Sequence, residues 1–232
     1  MKTYDIFLFD ADNTLYDFDK CSTHALETIF AEHNLPYTAD IPKLFYDIGT
    51  PLWERFERGQ ISGRELQKVR FANLFAELDI YLDPVEFNGK YLYALGRSPF
   101  LVDGALEICR ELTEQGKKIY IVTNGFQISQ QTRMEFSGLR QYISGCFISE
   151  IIGHEKPGTG FFDYVFSNIP DVQKERVLIV GDSLTADIAG GNNYGIDNCW
   201  FNFRKEENRT DIVPTYEIKH LNEISSLRRG GL

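Results

Sequence analysis

Five short runs of apolar, β-branched and aromatic residues punctuate the chain: IFLF (6–9), KIYIVT (118–123), CFIS (146–149), VLIVGD (177–182) and CWFN (199–202). None alternates with polar residues, so each reads as a strand covered on both faces. Segments with helical spacing lie between them: DGALEICRELTEQG from Asp103, GTGFFDYVFSN from Gly158 and SLTADIAGGNNYG from Ser183. Asp103 is the expected N-cap of the first, and Gly116 its expected stop. Continuous strands alternating with helices predict an α/β fold, a Rossmann-like parallel sheet with helices on both faces.

Residues 16–97 break this alternation and carry helical signals with almost no strand character. SGRE (62–65) is a capping box ahead of QKVRFANLFAEL, and DPVE (83–86) opens another helix with proline in its first turn. The expected organisation is an α/β core made of 1–15 and 98–232, interrupted just after its first strand by a helical insert over 16–97. No internal repeat or low-complexity segment is present.

Ligands of open α/β sheets bind at the C-terminal ends of the strands. Those ends carry Asp10, Asp12 and Thr14 after the first strand, Thr123 and Asn124 after the second, and Asp182, with Asp187 close behind it, after the fourth. Two carboxylates at the end of a core strand are costly unless a cation holds them. A D-x-D alone is common in solvated turns. Joined to GDSLTAD (181–187), it becomes a candidate Mg²⁺ site, because Mg²⁺ accepts one or two carboxylates together with waters and phosphate oxygens. Thr123 and the backbone N–H groups around Asn124 and Gly125 precede a helix, a setting that favours anions. Lys156, in EKPG, would alone read as a surface lysine; its place in a loop before a helix makes it a candidate phosphate-binding cation.

The 232 residues are 43% hydrophobic and 25% charged, ordinary for a soluble globular protein. The net charge of −10, with basic residues dispersed apart from Arg228-Arg229, leaves no footprint for nucleic acid. No apolar run reaches membrane-spanning length, and the first strand starts too close to Met1 for a signal peptide. Cys21, Cys109, Cys146 and Cys199 are scattered and read as free thiols. These features together give a cytoplasmic expectation, with no membrane partner and nothing that fixes the oligomeric state. GTG (158–160) reads as a loop rather than a dinucleotide fingerprint, and His154 as a loop histidine. Phe45, Tyr46, Trp53 and Phe56 are spaced like a helical core face, from which one or two rings can turn to a cleft and stack on a base.

The ordered set D-x-D-x-T, T-N, K-P and G-D-x-x-x-x-D resembles the four motifs of the haloacid dehalogenase (HAD) superfamily, with the helical insert where its type 1 cap stands. The resemblance implies that Asp10 attacks phosphorus to form an aspartyl-phosphate. It implies that Asp12 protonates the leaving alcohol and then activates water, neighbouring carboxylates raising its pKa. Thr123, Asn124 and Lys156 would bind the phosphate, with Thr14 and Asp187 in support. Mg²⁺ would be held by the Asp10 carboxylate, the Asp12 backbone carbonyl and Asp182. Haloacid dehalogenases of this superfamily lack the second aspartate. Phosphonatases need a cap lysine, and surface roles account for Lys20, Lys43, Lys68 and Lys90. Phosphatases or phosphomutases of sugar phosphates share the core motifs, and a non-catalytic binding protein could keep the fold. A closer resemblance, through TNGFQISQQTRMEFSGLRQY, ISEIIGHEKP and PLWERFERGQIS, is to pyrimidine 5′-nucleotidases of the YjjG type. It implies a small phosphorylated substrate, a pyrimidine nucleoside 5′-monophosphate. Asn13 stands where that type frequently has an acidic residue, and is set outside the assigned roles.

Overall fold

The computed structural model describes residues 3–98 and 100–227; Arg228 and Arg229 lie outside them. Strands β1 (Ile6–Phe9), β2 (Lys118–Thr123), β3 (Ile143–Ile148), β4 (Val177–Gly181), β5 (Asp197–Phe201) and β6 (Tyr216–Ile218) form one sheet in the order β3-β2-β1-β4-β5-β6. All neighbours run parallel. Helices α1 (Phe18–Glu32), α2 (Ile41–Glu57), α3 (Gly63–Glu77) and α4 (Pro84–Gly96) follow β1, and α5 (Ala105–Glu114) leads into β2. Helices α6 (Gln127–Phe136), α7 (Ser149–Ile152), α8 (Thr159–Ser167) and α9 (Ala189–Tyr194) lie between the later strands.

The period of two in a strand sends alternate side chains to opposite faces. Phe7, Phe9, Leu178 and Val180 therefore pack with Ile108 and Leu112 of α5. Ile6, Leu8, Val177 and Ile179 pack with Phe161 and Val165 of α8. Phe9 is in register with Ile121 of β2 and Val180 of β4, so Asp10 emerges between the ends of β2 and β4. That is the point where the strand order reverses direction from β1.

Helices α1–α4 build a separate hydrophobic cluster, in which Phe30, Phe71, Phe75 and Phe87 meet mostly edge to face. Phe126, from the loop after β2, also enters this cluster. A second tie is a close crossing of α4 on α6. A Cβ at Gly96 would lie 2.5 Å from Thr132 Cβ and 2.9 Å from the Ser129 carbonyl oxygen, so only glycine fits there. Among the described residues, no helix is long and apolar enough to cross a membrane.

Several local expectations need correction. The N-cap of α5 is Gly104, with φ +85°, and not Asp103; the chain enters the helix through a left-handed residue, which moves the cap one position along. Gly116, with φ +73°, does follow the end of α5. Strand β3 starts at Ile143, ahead of the apolar run, because an edge strand tolerates Ser144 and Gly145. Strand β6 carries too short an apolar signal to be read. Gly160 lies inside α8 rather than in a loop, and the segment after Ser183 begins with a wide π turn, Leu184–Ile188. Ser62 caps α3 by accepting from Glu65 N, and Asp83 caps α4 by accepting from Val85 N and Glu86 N.

Candidate active site

The ends of β1, β2 and β4, together with α2, enclose a cleft of about 340 Å³. Asp10, Asp12, Thr123, Asn124, Lys156, Asp182 and Asp187 all border it. Of the residues given a catalytic, phosphate, metal or supporting role from sequence, only Thr14 is not there. The chain turns at Asn13 in a left-handed conformation, φ 57°, which asparagine tolerates. Thr14 is thereby turned into the interior, and its Oγ1 has no hydrogen-bond partner among the described residues. Asn13 itself borders the cleft.

Lys156 is fully buried rather than a surface residue. Its Nζ donates to Asp10 Oδ1 at 2.6 Å, Asp187 Oδ1 at 2.6 Å and the Val122 carbonyl oxygen at 2.8 Å. An ammonium has three donors, so all are in use, and a contact with phosphate requires exchanging one of them. Burial alone would lower its pKa, but the charges of Asp10 and Asp187 overcome this and raise it. Asn124 is also committed: its Nδ2 donates to the Lys156 carbonyl and its Oδ1 accepts from Lys156 N, both at 2.9 Å. Its side chain thereby positions the lysine backbone. The Gly125 N–H, expected to face an anion, donates to Thr123 Oγ1 at 3.0 Å, leaving the Thr123 hydroxyl proton free to donate outward.

Asp10, Asp182 and Asp187 offer carboxylate oxygens within 4.8 Å of one another. Asp187 is pinned by Lys156 and by Ser183 N–H at 3.1 Å, and it lies so close over Gly181 that a Cβ there would fall 2.1 Å from its Oδ2. The Asp182 carboxylate has neither hydrogen bond nor ion pair among the described residues. Burial pushes Asp10 up to about 7; Lys156 opposes the shift and Asp187 adds to it. Burial, reinforced by Asp10 and Asp187, raises Asp182 well above the usual carboxylate range. Three carboxylates thus face one ammonium at the floor of the cleft, a deficit of positive charge that a divalent cation fits.

Asp12 has different company from that expected. Its Oδ1 is ion-paired with Arg133 and its Oδ2 accepts from Gln130 Nε2 at 2.8 Å, so its side-chain partners are a guanidinium and an amide rather than other carboxylates. Arg133 is completely buried and stacks 5.1 Å from the centre of the Tyr16 ring. Gln130 reaches Asp12 over Gly125, where a Cβ would lie 2.3 Å from its Nε2. Neither residue was singled out from sequence; the available signal was their i, i+3 spacing on the helix after T-N, which puts both on one face. Across the cleft, Tyr46, Trp53, Glu54 and Glu57 of α2 form the opposite wall. Phe45 and Phe56 instead pack into the helical cluster. Glu57, its pKa raised by burial, accepts from Thr185 Oγ1 at 3.0 Å and links α2 to the sheet side.

A family model for haloacid dehalogenase-like hydrolases matches residues 4–195. The chain is 39% identical to the HAD-hydrolase YfnB of Bacillus subtilis, over 97% of this chain and 95% of that protein. It is 34% identical to pyrimidine 5′-nucleotidase YjjG of Escherichia coli, over 97% of each. It is 35% identical to pyrimidine 5′-nucleotidase PynA of Streptococcus pneumoniae, over 93% of this chain and 91% of that protein. The crystal structure of YfnB bound to magnesium superposes with a TM-score of 0.91, covering 97% of this chain and 98% of the other. With its motifs converging at the reversal point of the sheet, the chain belongs to the haloacid dehalogenase-like hydrolase family.

Proposed function

We propose that the protein is a divalent-metal-dependent phosphomonoesterase that works through an aspartyl-phosphate and acts on pyrimidine nucleoside 5′-monophosphates. The observation that carries the chemistry is the Asp10–Lys156–Asp187 arrangement beside the unpartnered Asp182. Asp10 is oriented by Lys156 with one oxygen left to attack phosphorus. Asp12, positioned by Arg133 and Gln130, takes up a proton on a carboxylate lone pair that these two contacts leave open and gives that proton to the leaving ester oxygen. It then takes a proton from the water that attacks the aspartyl-phosphate, which releases inorganic phosphate and restores Asp10. Thr123 donates its hydroxyl proton to a phosphoryl oxygen. Asp10, Asp182 and the Asp12 carbonyl would hold Mg²⁺, with Asp187 in support; the ion supplies neutralisation of the charge on the phosphoryl group.

The similarity to YjjG and PynA and the aromatic wall of Tyr46 and Trp53 support the nucleotide part of the reading. The test is kcat/KM across nucleoside monophosphates and hexose phosphates, at fixed Mg²⁺ and after chelation. Pyrimidine monophosphates are expected to lead, and chelation to abolish turnover. A ranking led by hexose phosphates would refute the nucleotidase assignment, and undiminished turnover after chelation would refute metal dependence.

A further inference from the structure

A second cavity, of about 410 Å³, is lined mainly by the helical segment, with Arg204 from beyond β5, and shares Phe18, Tyr46, Thr50 and Trp53 with the catalytic cleft. Arg70 of α3 lines it and is only 2% exposed. A buried arginine normally has a carboxylate partner. Among the described residues Arg70 has none, and its Nε has no hydrogen-bond partner at all. One Nη2 donor goes to Asn88 Oδ1 at 2.9 Å, and Asn88 in turn donates to Gln67 Oε1 at 3.2 Å. The guanidinium is flanked by the rings of Phe45 and Tyr91, with centres at 4.7 and 5.0 Å. It is thus rigidly held, permanently charged and short of acceptors. The other cations on this cavity are already paired, Lys43 with Asp47 and Arg204 with Asp19.

Gly49 also lines the cavity from the middle of α2, although glycine is a poor helix former. A Cβ there would stand 3.7 Å from Arg70 Cδ, an ordinary contact, so a side chain is sterically allowed but would project beside the arginine. The bare backbone keeps that space open.

We propose that this cavity seats the nucleobase of the substrate, with Arg70 donating to a ring carbonyl, the O2 common to all pyrimidines. The inference rests on the phosphomonoesterase reading above and extends it to recognition of the base. Aromatic walls favour a flat ring, and a donor-only guanidinium requires an acceptor on it. A second phosphate would have to shed its hydration among Phe18, Phe45 and Trp53, which favours the neutral ring.

The test compares kcat/KM for uridine 5′-monophosphate with that for ribose 5-phosphate, which has the same phosphorylated sugar without a base. Wild-type protein, Arg70→Met, Arg70→Lys and Gly49→Leu are measured alongside a thermal melt of each. The uridine-to-ribose ratio is expected to be well above one in wild type. It should fall roughly 10–100-fold in Arg70→Met. It should fall also in Arg70→Lys, because a point charge does not reproduce the fork, and in Gly49→Leu, because the leucine fills the cavity. A high wild-type ratio that survives in folded Arg70→Met and Gly49→Leu overturns the role of the cavity and leaves the nucleotidase reading standing. A wild-type ratio near one overturns both. A larger loss for a sugar bisphosphate than for uridine 5′-monophosphate in Arg70→Met overturns the nucleobase assignment in favour of an anion.

Discussion

Asp10 and Asp12 are two residues apart, yet the protein surrounds them with opposite chemistry. Asp10 shares Lys156 with Asp187 in a buried acidic group, whereas Asp12 is gripped by donors from α6. Their substitutions should therefore fail differently. On the proposed mechanism Asp10→Asn removes the attacking oxyanion and is expected to lower kcat by more than about 10³-fold with every ester. On the same mechanism Asp12→Asn removes the proton donor, worth about 10²–10⁴-fold, and the loss should be smaller for esters with acidic leaving groups. Equal losses across leaving groups would contradict Asp12 as the acid. Arg133→Met should lower kcat roughly 10²-fold with little change in KM, because it displaces Asp12 without touching the phosphate; steady-state kinetics and the pH profile would check this. The carboxylates and Lys156 were legible in the sequence because each sits just after a strand or in a motif of fixed order. Gln130 and Arg133 were not, since polar residues on a surface-looking helix carry no mark of what they reach. Asn124 was legible as a cleft residue, but not its pairing with the backbone of Lys156, 32 residues away, a contact that only the fold creates.

At the scale of elements, β1, β2 and β4 could be bounded from their apolar runs because neighbours cover them on both sides. The edge strands β3 and β6 could not, because one open side relaxes the demand for continuous hydrophobicity. Helix starts followed the same logic. Ser62 and Asp83 cap through their own side chains and were visible, but Gly104 acts through its backbone and was not. Asp83→Ala frees the Val85 and Glu86 N–H groups and should cost about 1 kcal/mol, a fall in Tm of roughly 2–4 °C. Asp103→Ala, at the residue that does not cap, should leave Tm nearly unchanged. Thermal melts of the pair would separate the two.

The charge balance of the whole molecule can be tested through metal and pH together. Folding raises the pKa of Asp10 to about 7, through burial first, and burial likewise raises that of Asp182 well above the usual carboxylate range. Protonation of such groups favours the native state, so their contribution is full at low pH and is lost as pH rises through the raised values. A divalent cation offsets that loss and binds more tightly as the protons leave. Mg²⁺ should therefore raise Tm more at pH 8 than at pH 5.5, as measured by scanning calorimetry. Equal shifts at the two pH values would contradict the site.

Helix α6 serves both halves of the protein: one side abuts Gly96 of α4 with no room for a methyl group, and another carries Gln130 and Arg133 to Asp12. Gly96→Ala should thus depress kcat from a position outside the cleft, with a matched drop for all substrates. If Asp12 transfers the proton as proposed, the seam between α4 and α6 is constrained through it, while α2 and α3 shape the cavity around Arg70. On that reading an evolutionary change of base preference can be written into the positions of α2 and α3 that face Arg70, away from the partners of Asp12, and the seam is the part of the helical segment least free to drift.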